Sequence, residues 1–278
     1  MSATTSGARQ TGRGVGDWLR YWRDVRGRSQ FDLSLDSGVS QRHISFIESG
    51  RTVPSRQILM DLAQTLDMPL RDRNALLLSG GYAPIYPEGA WDDAEMQGVM
   101  RALDRMLKQN EPYPALVMDR YWNTLMTNQA APRLFNCFID LAARTGPRNM
   151  LHLIFDPAGL RPFVADWETV AVSLIQRVYR EAIGRHVDDK TRELLDSLLA
   201  YPGVRPEWRT PKGFSTIATL PMIPIGLVWN SQVLRYFSMV TTVGTPQTVA
   251  AQELRVESMF PADEETERLH QALLDRTH

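Results

Sequence analysis

The 278-residue sequence has few of the residues that build covalent or metal-bound scaffolds. Its one cysteine, Cys137, excludes an internal disulfide framework and a multi-cysteine metal site. The five histidines lack the close spacing of metal ligands. Phosphate-binding loops, dinucleotide fingerprints and nucleophile elbows are missing as well. We therefore expect no metal site, no resident cofactor and no enzyme.

The sequence also lacks a long apolar run. The longest uncharged one, residues 220–229, is too short to span a membrane and contains two prolines. Residues 1–14 are small, polar and weakly basic, without the apolar stretch of a secretory signal. These absences predict a cytoplasmic protein with no membrane-spanning segment, and a flexible tail over residues 1–14.

Positive charge is concentrated at one end of the chain. Residues 1–60 contain nine arginines and five acidic residues, an excess of +4, although the whole chain has a net charge of −1. Lysine occurs only as Lys108, Lys190 and Lys212, so almost all positive charge is guanidinium. Guanidinium suits phosphates and guanine edges. The basic end is therefore expected to bind a polyanion.

Residues 15–81 are predicted to form five short helices. Apolar residues recur at helical spacing, serines stand at cap positions and glycines follow the last turns. Residues 82–91 contain two prolines and predict a linker, and residues 92–109 predict a longer connecting helix. The five predicted helices span residues 15–26, 30–37, 41–49, 56–66 and 70–78.

The rest of the chain alternates strand and helix patterns, which predicts an α+β domain. Two short strands, a helical insert and three more strands favour one five-stranded mixed sheet. Asn230-Ser231-Gln232 indicates a hairpin turn, and Asp263 is suited to cap a closing helix. The predicted strands span residues 114–119, 122–127, 224–229, 233–242 and 254–260, and the predicted inserted helices span residues 129–143, 148–155, 162–184 and 188–200.

The most specific stretch is QFDLSLDSGVSQRHISFIESGRTVPS, residues 30–55. Gly38 is suited to a turn between two helices, and Val39 follows it. Ile44 and Ile47 then turn one face of the second helix inward. This pattern is typical of a helix-turn-helix, in which the outer face of the second helix enters the major groove of DNA.

Polar side chains stand at the positions that would contact DNA. Glutamine reads adenine and arginine reads guanine through paired hydrogen bonds. Positions at a helix N-terminus or just past the second helix suit phosphates. The alternative is a five-helix domain that binds only proteins. The predicted DNA-binding residues are Gln30, Ser40, Gln41, Arg42, Ser45 and Arg51.

Residues 15–81 resemble the DNA-binding domain of the XRE family of Cro/C1-type repressors. The family pattern is S-Q-x-x-L-A-x-x-x-G-V-S-x-x-x-I-S-x-x-E-x-G-R-x-x-P-S. This sequence departs from it at Ser34, which replaces a small alanine with another small residue. The resemblance implies an all-α, five-helix, lambda-repressor-like domain that binds operator DNA.

The second domain resembles the MmyB-like ligand-binding domain, which follows an XRE module in many bacterial regulators. The likeness runs from Pro112 to Asp263 and is most specific at Gly159-Leu160-Arg161-Pro162 and Gly244-Thr245-Pro246. It implies a PAS-like fold and an apolar cavity for a fatty-acid-like ligand.

Alternate strand residues and the helix residues that face them would line such a cavity. Polar donors at its mouth would hold an acyl carboxylate. Arg161, Asn128, Tyr121 and Arg235 are candidate donors, and a purely structural role is the alternative for each. The predicted ligand-binding residues are Leu125, Phe135, Phe155, Phe163, Trp167, Leu174, Val178, Trp229, Tyr236, Phe237, Met239, Arg161 and Asn128.

The two resemblances together imply a homodimeric transcription regulator that binds operator DNA and a small apolar ligand. The expected divisions are a DNA-binding domain over 15–81, a linker and connecting helix over 82–111, and a ligand-binding domain over 112–278. Two alternatives remain. A second domain used only for dimerisation or protein interaction predicts a well-packed core without a cavity. A lipid-metabolising enzyme held on DNA needs a nucleophile or an acid–base pair, and the sequence offers none with usable spacing.

Overall fold

The chain divides into two compact units, Met1–Glu88 and Gly89–His278. The computed structural model describes residues 14–90, 93–146, 148–183, 188–209 and 225–275. The predicted tail lies outside the described residues except for Gly14.

The first unit consists of five helices whose ends are set by local capping. Ser29, Ser40 and Ser55 each accept a hydrogen bond from the backbone N–H three residues later, which satisfies a free donor of the first turn. Gly38 ends the second helix with φ +72°, a conformation that favours glycine. All five predicted helices are confirmed to within one residue. They are α1 (Val15–Val25), α2 (Gln30–Ser37), α3 (Gln41–Glu48), α4 (Arg56–Thr65) and α5 (Leu70–Ser79).

The core of this unit joins apolar residues from all five helices. Gly16 shows how closely α1 approaches α3, because a Cβ atom there would lie 2.6 Å from the backbone oxygen of Glu48. The largest fully buried side chains of this core include Leu19, Leu33, Ile44, Ile47, Leu59, Leu62, Leu66, Met68, Leu76 and Leu77.

The second unit combines seven α-helices with five strands over the described residues. The helix predicted to connect the domains belongs to this unit, where it packs against the first strand. In chain order the elements are α6 (Gln97–Gln109), β1 (Ala115–Met118), β2 (Thr124–Thr127), α7 (Ala130–Asn136), α8 (Met150–Phe155), α9 (Trp167–Ile183), α10 (Asp189–Leu199), β3 (Ile225–Trp229), β4 (Gln232–Thr242), α11 (Val249–Glu253), β5 (Arg255–Pro261) and α12 (Glu264–Asp275).

The helices α6 to α10 are all shorter than predicted, most of all α7 and α9, and the sequence pattern does not predict α11. Beyond α7, the Asn136 side chain accepts a hydrogen bond from Leu141 N at 3.0 Å, and the Asp140 carboxylate accepts from the backbone N–H groups of Ala142 and Ala143. Side chains thus replace helical hydrogen bonds over the rest of the predicted helix. The helix α9 begins only at Trp167. Asp166, just before it, has φ +49°, which interrupts a continuous helix.

The sheet has the strand order β2-β1-β5-β4-β3, and every neighbouring pair is antiparallel. The predicted mixed sheet is therefore wrong. The helical insert carries the chain from one edge strand to the other, so the strands on either side of it never pair and no parallel neighbours arise. The turn prediction is confirmed. Asn230 and Ser231 have φ +47° and +63° and join β3 to β4 as a two-residue hairpin turn.

The sheet separates two apolar clusters because successive side chains of a strand point to opposite faces. On β1, Leu116 and Met118 belong to the apolar cluster that also contains residues of α7, α8, α9, α10 and α12. Ala115 and Val117 pack on the other face against α6 and α11. We call the first cluster the inner face and the second the outer face. No helix within the described ranges is long and apolar enough to cross a membrane.

Candidate nucleic-acid interface and apolar cavity

The helix α3 buries one face and exposes the other. Ile44 and Ile47 are fully buried in the five-helix core. Gln41 and Arg42 are exposed on the opposite side, and Ser45 is half-buried beside them. Ser40 caps the helix by accepting a hydrogen bond from the backbone N–H of His43 at 3.3 Å. The predicted reading residues therefore share one accessible face at the start of the helix.

Phe46 organises the arginines of this face. The guanidinium of Arg42 lies 5.3 Å from the centre of the Phe46 ring, and that of Arg51 lies 5.7 Å from it. Contacts of this kind stabilise a cation at a surface by about 0.5–1 kcal/mol. One half-buried ring thus holds two exposed positive charges close together, in an arrangement suited to a polyanion.

Glu48, at the end of α3, is a buried carboxylate that joins three helices. Arg23 of α1 donates to it from Nε at 2.8 Å and from Nη2 at 3.3 Å, and Gln30 of α2 donates from Nε2 at 2.9 Å. Arg20 donates to its backbone oxygen at 2.8 Å. The hydrogen bond to Glu48 raises the pKa of Arg23 above its ordinary value. This network fixes the end of α3 against α1 and α2.

Gln30 stands at the start of α2, where the sequence predicts a phosphate contact. Its side-chain amide nitrogen is engaged by Glu48, so this group supports α3 in the structure. The backbone at the helix N-terminus still carries the N–H groups and the dipole that attract phosphate. Contacts of Gln30 and of the other five predicted residues with DNA stay predictions.

The inner face of the sheet encloses a small apolar cavity of about 40 Å³. It lies between β1, β3, β4 and β5 on one side and α7, α8 and α9 on the other. Its lining includes Leu116, Met118, Trp122, Phe135, Met150, Ile154, Leu160, Val164, Leu174, Ile225, Leu227, Tyr236, Phe237, Ser238, Glu257 and Met259.

Four predicted lining residues, Phe135, Leu174, Tyr236 and Phe237, border this cavity. The other predicted apolar residues do not border this cavity, and their contacts with a ligand stay predictions. Leu125 packs against the outer face, and Met239 is 59% exposed. The others lie against or within the inner-face core without bordering the cavity, and they are Phe155, Phe163, Trp167, Val178 and Trp229.

The two polar residues predicted as anchors also lie elsewhere. Arg161 donates to the backbone oxygen of Pro202, and its guanidinium lies 3.8 Å from the Trp167 ring centre. Asn128 is buried and donates to Tyr113 O at 2.7 Å while it accepts from Ala115 N at 3.0 Å. Both side chains are engaged in structural contacts, as their alternative interpretation proposed.

Three polar residues that the sequence did not single out meet at one corner of the cavity. Trp122 and Glu257 border it, and Arg177 of α9 contacts both. The Arg177 guanidinium lies 4.6 Å from the Trp122 ring centre, and its Nη1 lies 4.0 Å from Glu257 Oε1. No local pattern indicates this cluster, because its members come from a loop, a helix and the last strand.

Tyr236 borders the cavity with its ring but directs its hydroxyl to His270. The His270 Nε2 atom lies 3.0 Å from the carbonyl oxygen of Pro112, which only accepts, so Nε2 carries the proton. His270 Nδ1 therefore accepts from the Tyr236 hydroxyl at 2.8 Å. Burial lowers the pKa of His270 and raises that of Tyr236, which keeps both groups neutral.

A second, open cleft of about 410 Å³ lies beside α8 and α10. His152 on its wall has a pKa lowered by burial, and its Nδ1 lies 3.0 Å from the Tyr201 hydroxyl. Asp119, Lys190 and Glu193 give the cleft charges of both signs. This mixture favours neither an anionic nor a cationic ligand.

The comparisons with known protein families agree with this geometry. The helix-turn-helix family matches residues 19–72. The MmyB-like transcription regulator ligand binding domain family matches residues 99–273, which is more than half of the chain. No curated protein matches the chain. The chain therefore belongs to the MmyB-like transcription regulators, as a DNA-binding regulator with a helix-turn-helix and a ligand-binding domain.

Proposed function

We propose that the chain is a homodimeric, sequence-specific regulator whose second domain binds a small molecule of fatty-acid-like shape, a hydrocarbon chain with a small polar head. The observation that carries this proposal is the apolar cavity on the inner face, bordered by four predicted lining residues and by one polar corner.

The DNA-binding half of the proposal rests on the exposed face of α3. Gln41 and Arg42 have the side chains that read adenine and guanine in the major groove. Arg51 follows α3 and suits a phosphate. A single module of this size buries little DNA surface, and two-fold related half-sites are bound by dimers. Two copies of the chain would therefore act together.

The ligand-binding half requires the cavity to change size. A volume of about 40 Å³ holds little more than one water molecule, whereas ligand pockets usually measure about 300–1,000 Å³. Met118, Met150 and Met259 border the cavity, and methionine side chains are flexible enough to repack. An entering chain would displace them, so binding would be coupled to a conformational change. Such coupling is what a sensor needs to alter DNA affinity.

Native mass spectrometry of the purified full chain, followed by organic extraction, tests the proposal. We expect a dimer that carries one apolar molecule per chain. Met150→Trp, which fills the cavity, should abolish this added mass. Met239→Trp changes an exposed residue away from the cavity and should retain it. A dimer with the bare mass, whose melting temperature no long-chain compound raises, would overturn the sensor in favour of a dimerisation domain.

A further inference from the structure

The corner formed by Trp122, Arg177 and Glu257 contains a buried donor with no acceptor. Trp122 is only 3% exposed, and its indole N–H has no hydrogen-bond partner in the described part of the chain. A buried donor left without a partner costs about 1–3 kcal/mol. The same residue borders the cavity. An acceptor placed in the cavity would remove this penalty.

The backbone at Trp122 shows that this position is imposed by its surroundings. Its φ of +67° is unfavourable for a bulky side chain. Two hydrogen bonds hold it: Trp122 N donates to Asp119 O at 3.1 Å, and Met150 N donates to Trp122 O at 3.0 Å. The fold thus keeps the indole at the cavity against the local preference of the chain.

Glu257 supplies the opposite polarity at the same corner. This residue of β5 is 9% exposed and borders the cavity on the inner face. Its Oε1 lies 4.0 Å from Arg177 Nη1, an ionic contact that is longer than a hydrogen bond. The carboxylate therefore keeps capacity to accept a hydrogen bond from a group in the cavity.

We propose that this corner binds the head of the ligand and selects an uncharged head that accepts one hydrogen bond and donates another, such as a carboxamide, over a carboxylate. Trp122 Nε1–H donates to the head, and Glu257 accepts from it. The inference rests on the function proposed above, because it assigns the polar end of the same ligand.

A carboxylate head fits this corner poorly. It would accept from Trp122, but it would also stand beside Glu257 with no proton to share. Arg177 already faces Glu257, so two anions would crowd one guanidinium away from water. The Tyr236 hydroxyl offers no relief, because it donates to His270. The Ser238 hydroxyl also borders the cavity, but it is neutral and could donate to either head, so it does not offset the added negative charge. A carboxamide matches one donor and one acceptor without adding charge.

Calorimetric titration of the full chain with three probes tests the inference: decanamide, decanoate and butylbenzene, which has neither donor nor acceptor. We expect decanamide to bind at least about tenfold more tightly than decanoate, since buried like charges are strongly unfavourable. Glu257→Gln keeps the shape and removes the charge, so it should reduce this preference by about tenfold or more.

Trp122→Phe removes the indole donor. It should lower the affinity for decanamide about five- to tenfold more than the affinity for butylbenzene, as expected for one lost hydrogen bond. The loss of ring area should lower the affinities for both probes alike. Trp22→Phe is the matched control, because it deletes another buried indole N–H in the first unit and should change neither affinity. If Trp122→Phe does not fold, the Glu257→Gln ratio decides alone.

The outcomes separate the inference from the proposed function. Binding of the probes with equal or greater affinity for decanoate would overturn the inference and leave the ligand-sensing function standing. A preference for decanamide that survives Glu257→Gln unchanged would overturn it too. Binding of no probe would count against the proposed function, and the inference would be rejected with it.

Discussion

The two units each bury a glutamate, and the two carboxylates are used differently. Glu48 is 5% exposed and accepts side-chain hydrogen bonds of 2.8–3.3 Å from Arg23 and Gln30. Glu257 is 9% exposed, with Arg177 at 4.0 Å, and it borders a cavity. The first carboxylate is saturated by its neighbours. The second can still accept a hydrogen bond from a group in the cavity.

The two carboxylates belong to units whose predicted binding sites differ: an exposed helix face in the first unit and an internal cavity in the second. In the first unit Glu48 joins three helices, while Gln41 and Arg42 lie on the exposed face that is predicted to contact DNA. In the second unit the groups that border the cavity also form the core. Unpartnered polar atoms alone do not make the distinction, since Trp22 in the first unit also has an indole N–H without a partner in the described structure.

The largest expected effect is on the stability of the first unit. Glu48→Gln removes the buried charge opposite Arg23, which then keeps only its exposed ionic partner Asp24 among the described residues, and should destabilise this unit by about 3 kcal/mol. Glu257→Gln should cost less than about 1 kcal/mol, because its contact with Arg177 is long and loose. Hydrogen exchange followed by mass spectrometry measures both units separately in the full chain.

Equal losses from the two substitutions would break the comparison. They would mean that the contacts of Glu257 stabilise its unit as much as those of Glu48 do. The Glu257 carboxylate would then not be available to accept a hydrogen bond from a group in the cavity.

The next effect concerns DNA and leaves stability unchanged. Arg42→Ala should reduce specific binding by about 1–3 kcal/mol and relax the preference at one base pair, because base contacts carry sequence information. The thermal midpoint should stay within the range of ordinary surface substitutions. Binding to a panel of single-base operator variants and to random DNA measures this. An equal loss on specific and random DNA would contradict base reading by Arg42.

Arg51→Ala is the matched control on the same Phe46 ring. A phosphate contact predicts an even loss across sequences and a salt-dependence slope reduced by about one. A slope that does not change would remove Arg51 from the phosphate contacts.

The smallest effect is a pH dependence from the second unit. Burial lowers the pKa of His270, whereas the unfolded chain takes up this proton near its ordinary pKa of about 6.5. Stability is therefore full above that pH and falls as acid is added, until the folded state is also protonated. In urea titrations at pH 7.5 and 5.5, His270→Gln should lose less stability than the wild type. A parallel loss in both proteins would refute this assignment.

The five-helix unit could be predicted almost completely from the sequence, because its limits are local. Ser29, Ser40 and Ser55 mark helix starts, and Gly38 marks an end that requires positive φ. The exposed face of α3 followed from Ile44 and Ile47 alone. Such signals lie within a few residues of the structure that they determine.

The second unit was predicted less well because its arrangement depends on distant pairings. Tyr236 borders the cavity, whereas Leu125 packs in the other cluster, and the alternation along a strand does not show which face of the sheet meets which helices. The sheet is antiparallel because the helical insert leads to β3 at the edge opposite β2, and no local sequence pattern indicates that position. The corner of Trp122, Arg177 and Glu257 appears only when β5 pairs with β1.

That pairing has a consequence for synthesis of the chain. The strand β1 is made early in the second unit and β5 near its end, yet they are neighbours at the centre of the sheet, with Leu116 opposite Glu257. During synthesis the first unit emerges from the ribosome well before β5 does. Its helices depend on local contacts and can fold at that stage, whereas the sheet of the second unit cannot form until β5 is available to pair with β1. A nascent chain would therefore complete its five-helix unit before the apolar cavity of the second unit forms.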